Sequence, residues 1–455
     1  MSTADVAGIA SGAIDAMRGR ERALFEKKHP RSRELAAAAA RNWFQGVPMH
    51  WMLDWGTPFP LFVREAQGAT LTDADGNRHA DFCLGDTGSM FGHSPAPIVE
   101  VLQRQGARGL TSMLPTEDAA EVGRLLAARF GVPFWQVTAT ATDANRYVLR
   151  WAREVTGRDK ILVFHGCYHG SVDDTFIRLK DGRPIARPGL IGQVTDVTKT
   201  TKVVEFNDVA ALEAALKPGD VACVLCEPAM TNIGMVLPEP GFHDALRRMT
   251  RKHGTLLAID ETHSISTGPG GYTRAHKLEP DFFVLGKPVA GGIPCAVFGF
   301  TADLAQKMAK AANAQAGYSG MGTTLSANPL VMAALRANLE RVMTDAAYDH
   351  MLALSERLAE GLRQVIQERQ LPWHVSNVGA RAEFVCAAKP PRNGTEAGAA
   401  MQPTLEHAIH MYLINRGLLI APFHNMTLVC PDTAEADVDH LIATVRNCCD
   451  ELRAA

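Results

Sequence analysis

Two residues able to do covalent chemistry stand at the ends of two apolar runs. Residues 255–259 and Phe282–Leu285 are short and uninterrupted, the pattern of strands buried on both faces. Asp260 follows the first, and Lys287 closely follows the second. In an open α/β sheet, ligands bind off the carboxyl ends of the strands, so an acid and an amine delivered to one rim could hold two ends of one molecule. A solvated loop lysine and a helix-capping Asp260-Glu261 pair are the plain alternative. Against it, Val-Ala-Gly-Gly-Ile-Pro follows Lys287 and offers little exposed chain. A buried lysine must pair, lose its proton or form an imine. Pyridoxal phosphate asks for this pair: a lysine for its aldehyde and a carboxylate to keep its pyridine nitrogen protonated.

Composition narrows the class. The chain has 455 residues, 46% hydrophobic and 21% charged, with formal net charge −3. That supports a large core and more than one domain, and no bulk attraction to nucleic acid. No apolar run approaches the roughly 20 residues needed to span a bilayer, so no membrane partner is expected. The nine cysteines are scattered and read as reduced thiols, which with the lack of a leader suggests the cytoplasm. No metal site is read.

The positioning elements follow in order. Residues 1–46 read as helical. Residues 47–55 gather Met49, His50, Trp51, Met52 and Trp55, either a small core or the wall of an apolar pocket. Residues 69–83 read as a hairpin turning at 73–77. Thr138 to Asn145 leads into a helical run, a Thr-capped helix whose N-terminus could face an anion. A buried strand over 161–164 delivers Tyr168 and His169 to the rim, and Val221–Cys226 delivers Glu227. Tyr168 and His169 can also be plain polar surface, and Glu227 an exposed strand-end acid. Residues 331–371 and 434–452 carry amphipathic helical patterns.

These motifs, in this order, resemble the class III pyridoxal-phosphate aminotransferases, most nearly the branch containing glutamate-1-semialdehyde aminomutase and amine transaminases. The resemblance runs from about residue 58 to 439. It implies an α/β fold of fold type I. A large domain would carry a mostly parallel seven-stranded sheet flanked by helices. A small α/β domain would be built from the N- and C-terminal segments. The expected divisions are 1–88, 89–330 and 331–455.

The resemblance also implies roles. Lys287 carries the cofactor and moves the proton, and Asp260 holds the pyridine nitrogen. Tyr168 stacks on the ring with His169 in support, Glu227 orients neighbours, and Thr262 presents its methyl beneath the ring where relatives have valine. Thr140, Ala141 and Thr142 form the phosphate turn where the family has Ser-Gly-Thr. If that glycine position needs positive φ, alanine there is costly. Thr323 and Thr324 match the family loop that reaches the phosphate of a neighbouring subunit, implying a homodimer with shared sites. Trp51, Trp55, Asp86, Arg381, His424 and Asn425 are the positions expected at the substrate pocket. Trp51 and His424 stand near places where amino-acid-specific relatives carry arginine. Arg381 could serve a keto-acid carboxylate or be a surface ion pair. His263 reads as a loop histidine or a proton shuttle.

The expected reaction moves an amino group from an apolar or aromatic amine without an α-carboxylate to a 2-oxo acid such as pyruvate. The alternatives are a β-amino-acid aminotransferase, a glutamate-1-semialdehyde-type aminomutase and, remotely, a binding protein that has lost catalysis.

Overall fold

The computed structural model describes residues 5–314 and 318–454. Residues 1–4 of the N-terminal stretch, and Gly317 at the head of the 317–330 segment, lie outside the described residues. The chain forms two compact units. One comprises Met1–Pro95, Ala346–Pro390 and Ala400–Ala455, and the other Ala96–Asp345 with Pro391–Ala399.

The second unit is built on a seven-stranded sheet. Its order is Thr201–Val204, Lys160–Phe164, Val221–Cys226, Leu256–Asp260, Phe282–Leu285, Ala296–Phe300, Phe134–Thr138. All neighbours pair in parallel except Ala296–Phe300, which runs antiparallel to both of its partners. Parallel strands covered on both faces must be apolar on both, and all six residues of Val221–Cys226 are buried. Alternation sorts them by face. Ile161 and Val163 pack with Ala144, Val148 and Trp151 of the helix Ala141–Thr156. Leu162 and Phe164 pack with Leu212 of Val209–Leu216 and with Phe242 and Leu246 of Phe242–His253. Each such side chain contributes roughly 1.5–3 kcal/mol on burial. Helix Phe242–His253 ends in Arg251, Lys252 and His253 and stops at Gly254, φ +62°, so basic charge meets the negative end of its dipole.

The first unit carries two smaller sheets. One orders Leu418–Leu419, Arg78–Asp81, Thr70–Asp73 and Val63–Gln67; the other orders His374–Val378, Arg381–Val385 and Met426–Leu428. The expected hairpin is present. Asp73 Oδ1 accepts from the backbone N–H of Asp75 and Asn77 at 2.9 and 2.8 Å, closing the turn, and His79 Nε2 lies 3.0 Å from Asp73 Oδ2. Among the described residues, no helix is long and apolar enough to cross a membrane.

Candidate active site

The rim is assembled by strand register. Asp260 pairs with Val284 in the neighbouring strand, and Lys287 follows three residues later. Asp260 is buried, and both its oxygens are engaged. His169 Nδ1 lies 2.9 Å from Oδ2, Asn145 Nδ2 donates to Oδ2 at 2.9 Å, and the Thr262 backbone N–H donates to Oδ1 at 3.1 Å. Burial alone would raise the Asp260 carboxyl. The hydrogen bond and charge of His169, with Thr262 and Asn145, outweigh it and hold the group well below the usual carboxylate range. Burial likewise would lower His169, but its bond to Asp260 holds it well above the usual imidazole range. The acid therefore stays anionic through neutral pH.

Lys287 is half-buried and has φ +47°. For a residue with a β-carbon, that left-handed conformation costs about 1–3 kcal/mol, and such strain collects at functional positions. Its Nζ lies 2.8 Å from His263 Nε2. Thr262 ties the two strand ends together, its hydroxyl accepting the Gly286 N–H at 3.1 Å.

The helix Ala141–Thr156 begins against this rim. Thr140 is its N-cap, accepting from Asp143 N–H at 3.2 Å. Ala141 has no left-handed φ; it is simply the first helical residue, so a methyl there carries no backbone strain. That corrects the expected penalty at this position. The constraint falls on its neighbours instead. A Cβ at Gly286 would meet the Ala141 Cβ at 2.8 Å, and one at Gly170, φ +78°, would meet Thr142 Oγ1 at 2.2 Å. Thr142 Oγ1 accepts the Ser171 N–H at 3.0 Å, drawing the Tyr168-His169 loop onto the helix start. Helix N-termini of this kind suit an anion.

Tyr168 is half-buried, with the Arg187 guanidinium 5.9 Å from its ring centroid. Glu227 is buried and accepts from Thr231 and Asn232; burial pushes its carboxyl up. Thr323 and Thr324 lie in an exposed turn, Thr323 Oγ1 2.8 Å from Ser326 Oγ.

The remaining expected residues belong to the first unit. Trp51 is partly exposed and packs edge-on to Phe423 at 6.1 Å. Trp55 packs on the cluster of Phe25, Met411, Ile414 and Leu419. Asp86 is half-buried at φ +48°. Arg381 is fully enclosed, so the surface ion-pair alternative is set aside, and its Nη2 donates to Thr87 Oγ1. His424 Nδ1 lies 2.6 Å from Glu383 Oε1, and Asn425 Oδ1 lies 3.0 Å from His410 Nε2.

Two residues outside the expected cofactor and catalytic set touch the centre: Asn145 and His263. Asn145 closes the Thr140–Asn145 motif one helical turn beyond Ala141. That spacing put it on the sheet-facing side of the helix and was the available signal.

Residues 52–442 match the family described as Aminotransferase class-III. The chain is 34% identical over 395 residues to the glutamate-1-semialdehyde 2,1-aminomutase of Desulfosudis oleivorans, covering 85% of this chain and 90% of that one. It superposes on the crystal structure of a glutamate-1-semialdehyde-aminomutase from Pseudomonas aeruginosa PAO1 with TM-score 0.96 and 48% identity, covering 98% of this chain and 100% of that one. An omega-transaminase from Sphaerobacter thermophilus superposes with TM-score 0.85 and 26% identity, covering 94% and 99%.

Proposed function

This chain belongs to the class-III aminotransferases, pyridoxal-phosphate enzymes of fold type I, and on that premise we propose that it transfers an amino group at the rim where Lys287 and Asp260 meet. The observation that carries the reading is the anionic Asp260 beside a strained Lys287 on neighbouring strand ends. These residues fit the cofactor. Asp260 suits the pyridine nitrogen, the start of Ala141–Thr156 with Thr140 and Thr142 suits the phosphate, Tyr168 offers a ring face, and Lys287 the amine. Pyridoxal 5'-phosphate, when bound, supplies an electron sink for the carbon that bears the amine.

The chain's own residues do the rest. Asp260, kept charged by His169 and Asn145, offers a charge-assisted hydrogen bond to a protonated nitrogen. Lys287 Nζ takes a proton from carbon and returns it, acting as general base and then acid. Thr262 holds Gly286, and so the approach of Lys287, in place.

For substrate, we read an apolar or aromatic amine as donor and a 2-oxo acid such as pyruvate as acceptor, because neither Trp51 nor His424 supplies an arginine. A second reading, a glutamate-1-semialdehyde-type aminomutase, is favoured by the names of the 34% and 48% identical relatives. A homodimer, with Thr323 and Thr324 reaching the neighbouring subunit's phosphate, belongs to the same reading. The experiment gives the protein an amine donor alone, then adds a 2-oxo acid. Ketone release limited to one equivalent until the oxo acid arrives supports transamination. Sustained turnover of glutamate-1-semialdehyde with no second substrate supports the mutase. Neither outcome, with cofactor bound, overturns amino transfer.

A further inference from the structure

Relatives with the Asp-Glu-Val pattern differ from this chain just after Asp260, where it reads Glu261-Thr262-His263. His263 is buried, and its Nε2 lies 2.8 Å from Lys287 Nζ. Two nitrogens at that distance share one proton. With the lysine as ammonium, Nζ–H donates and a neutral imidazole accepts. If the imidazole is protonated as well, two like charges face each other.

We propose that His263 is a positioning residue for Lys287: its neutral Nε2 accepts one Nζ–H, making the amine a better proton acceptor and fixing the direction of its other hydrogens. This rests on the assignment of Lys287 under the proposed function. Its chemistry is a balanced proton transfer. The Lys287 lone pair takes a proton from the substrate carbon, leaving the bonding electrons there, and the resulting ammonium is stabilised by donating to Nε2; the same proton is then returned to carbon. Hydrogen bonding to a charged form favours that form. Below the pH at which a histidine ordinarily takes its own proton, Nε2 becomes a donor and the support inverts. His263 thus confers an acid limit on turnover.

Other ionisable groups surround the rim and must be separated from His263. Asp260 and His169 are locked to each other. Burial pushes up Glu227 and Glu261, the latter accepting from Ser264 and from the N–H groups of Tyr272 and Thr273. Burial also pushes up Tyr272, while it lowers His276. Glu227 or Glu261 could set an acid limit of its own, so the test must distinguish them.

Two readouts do so. In protein stripped of cofactor, Lys287 is reductively methylated with formaldehyde and a borane across a pH series, and its peptide is quantified by mass spectrometry. His263→Ala shifts the half-labelling pH down by about one unit or more, while His263→Gln, whose amide oxygen can accept the same bond, stays closer to the parent. Superimposable parent and His263→Ala curves overturn the proposal. His263→Met, larger and lacking a strong acceptor, substitutes for alanine if the cavity unfolds the chain. In the loaded enzyme, kcat falls about ten- to hundredfold in His263→Ala, the scale of one lost bond to a charged group, with KM little changed. The acid limb of the kcat profile is displaced in His263→Gln, which leaves only the limb set by protonation of Lys287 itself. An acid limb superimposable on the parent's overturns the proposal. Turnover surviving in Lys287→Ala would instead overturn the assignment of Lys287, leaving the labelling result intact.

Discussion

Two of the buried ionic clusters among the described residues differ in what surrounds them. The rim cluster joins Asp260, His169 and Asn145, and Lys287, past the neighbouring strand end, reaches back to His263, three residues after Asp260. It sits where parallel strands stop, and it includes a half-buried amine held at a strained φ. The other, in the first unit, joins Arg381 to Thr87 and Glu383 to His424 around the strand Arg381–Val385. Its members Thr87, Arg381, Glu383 and His424 are all buried, and Arg381 is fully enclosed. Buried charge alone does not mark a catalytic centre. A partly reachable amine beside a fixed anion does; strain does not separate the two, since Thr87 in the second cluster has φ +81°.

Breaking the rim should cost catalysis and spare the fold. Lys287→Ala is expected to lower turnover by about 10³-fold or more, since both the covalent anchor and the proton carrier go; steady-state kinetics with unchanged thermal unfolding checks it. Asp260→Asn is expected to cost about 10²-fold or more, because the charge-assisted bond to the cofactor nitrogen is lost. The second cluster should behave the other way. Arg381→Met is expected to destabilise the fold by about 1.5–3 kcal/mol, the scale of a lost hydrogen bond to a charged group, read by chemical denaturation. The same variant sharpens the contrast: a KM for the 2-oxo acid raised tenfold or more in the folded fraction would give Arg381 a substrate role as well.

The smallest effect is on pH. Burial would lower His424, but Glu383, with Asp86 adding to it, holds its imidazole above the ordinary value. A raised folded value contributes stability that is fully present below the unfolded value, about 6.5, and is lost as pH rises through the folded one. The stability difference between the parent and Glu383→Gln should therefore shrink as pH climbs from about 6.5, read from paired denaturation midpoints.

The same contrast explains what was legible in the sequence. Asp260, Lys287 and Glu227 each end a continuous apolar run, so burial and strand polarity alone brought them to one rim. Strands Val221–Cys226 and Phe282–Leu285 have the boundaries their patterns predicted. The neighbourhood of Ala141 was misjudged because a missing glycine suggests strain, whereas the close approach falls at Gly286 and Gly170. His263 was ambiguous because a loop histidine has no periodicity to place it. The resemblance grouped Asp86, Arg381 and His424, but their partners Thr87 and Glu383 were hidden, because no local pattern joins residues 87, 381–383 and 424. An arginine within a short strand carries no mark of being enclosed.

The central claim is that Lys287 is the amine on which this chain carries its cofactor. Incubating the purified protein with pyridoxal 5'-phosphate, reducing it with borohydride and mapping the modified peptide tests this most directly. The account predicts the reduced cofactor on Lys287, and no labelled peptide in Lys287→Ala. A label on a different lysine, or undiminished labelling in that variant, would contradict it.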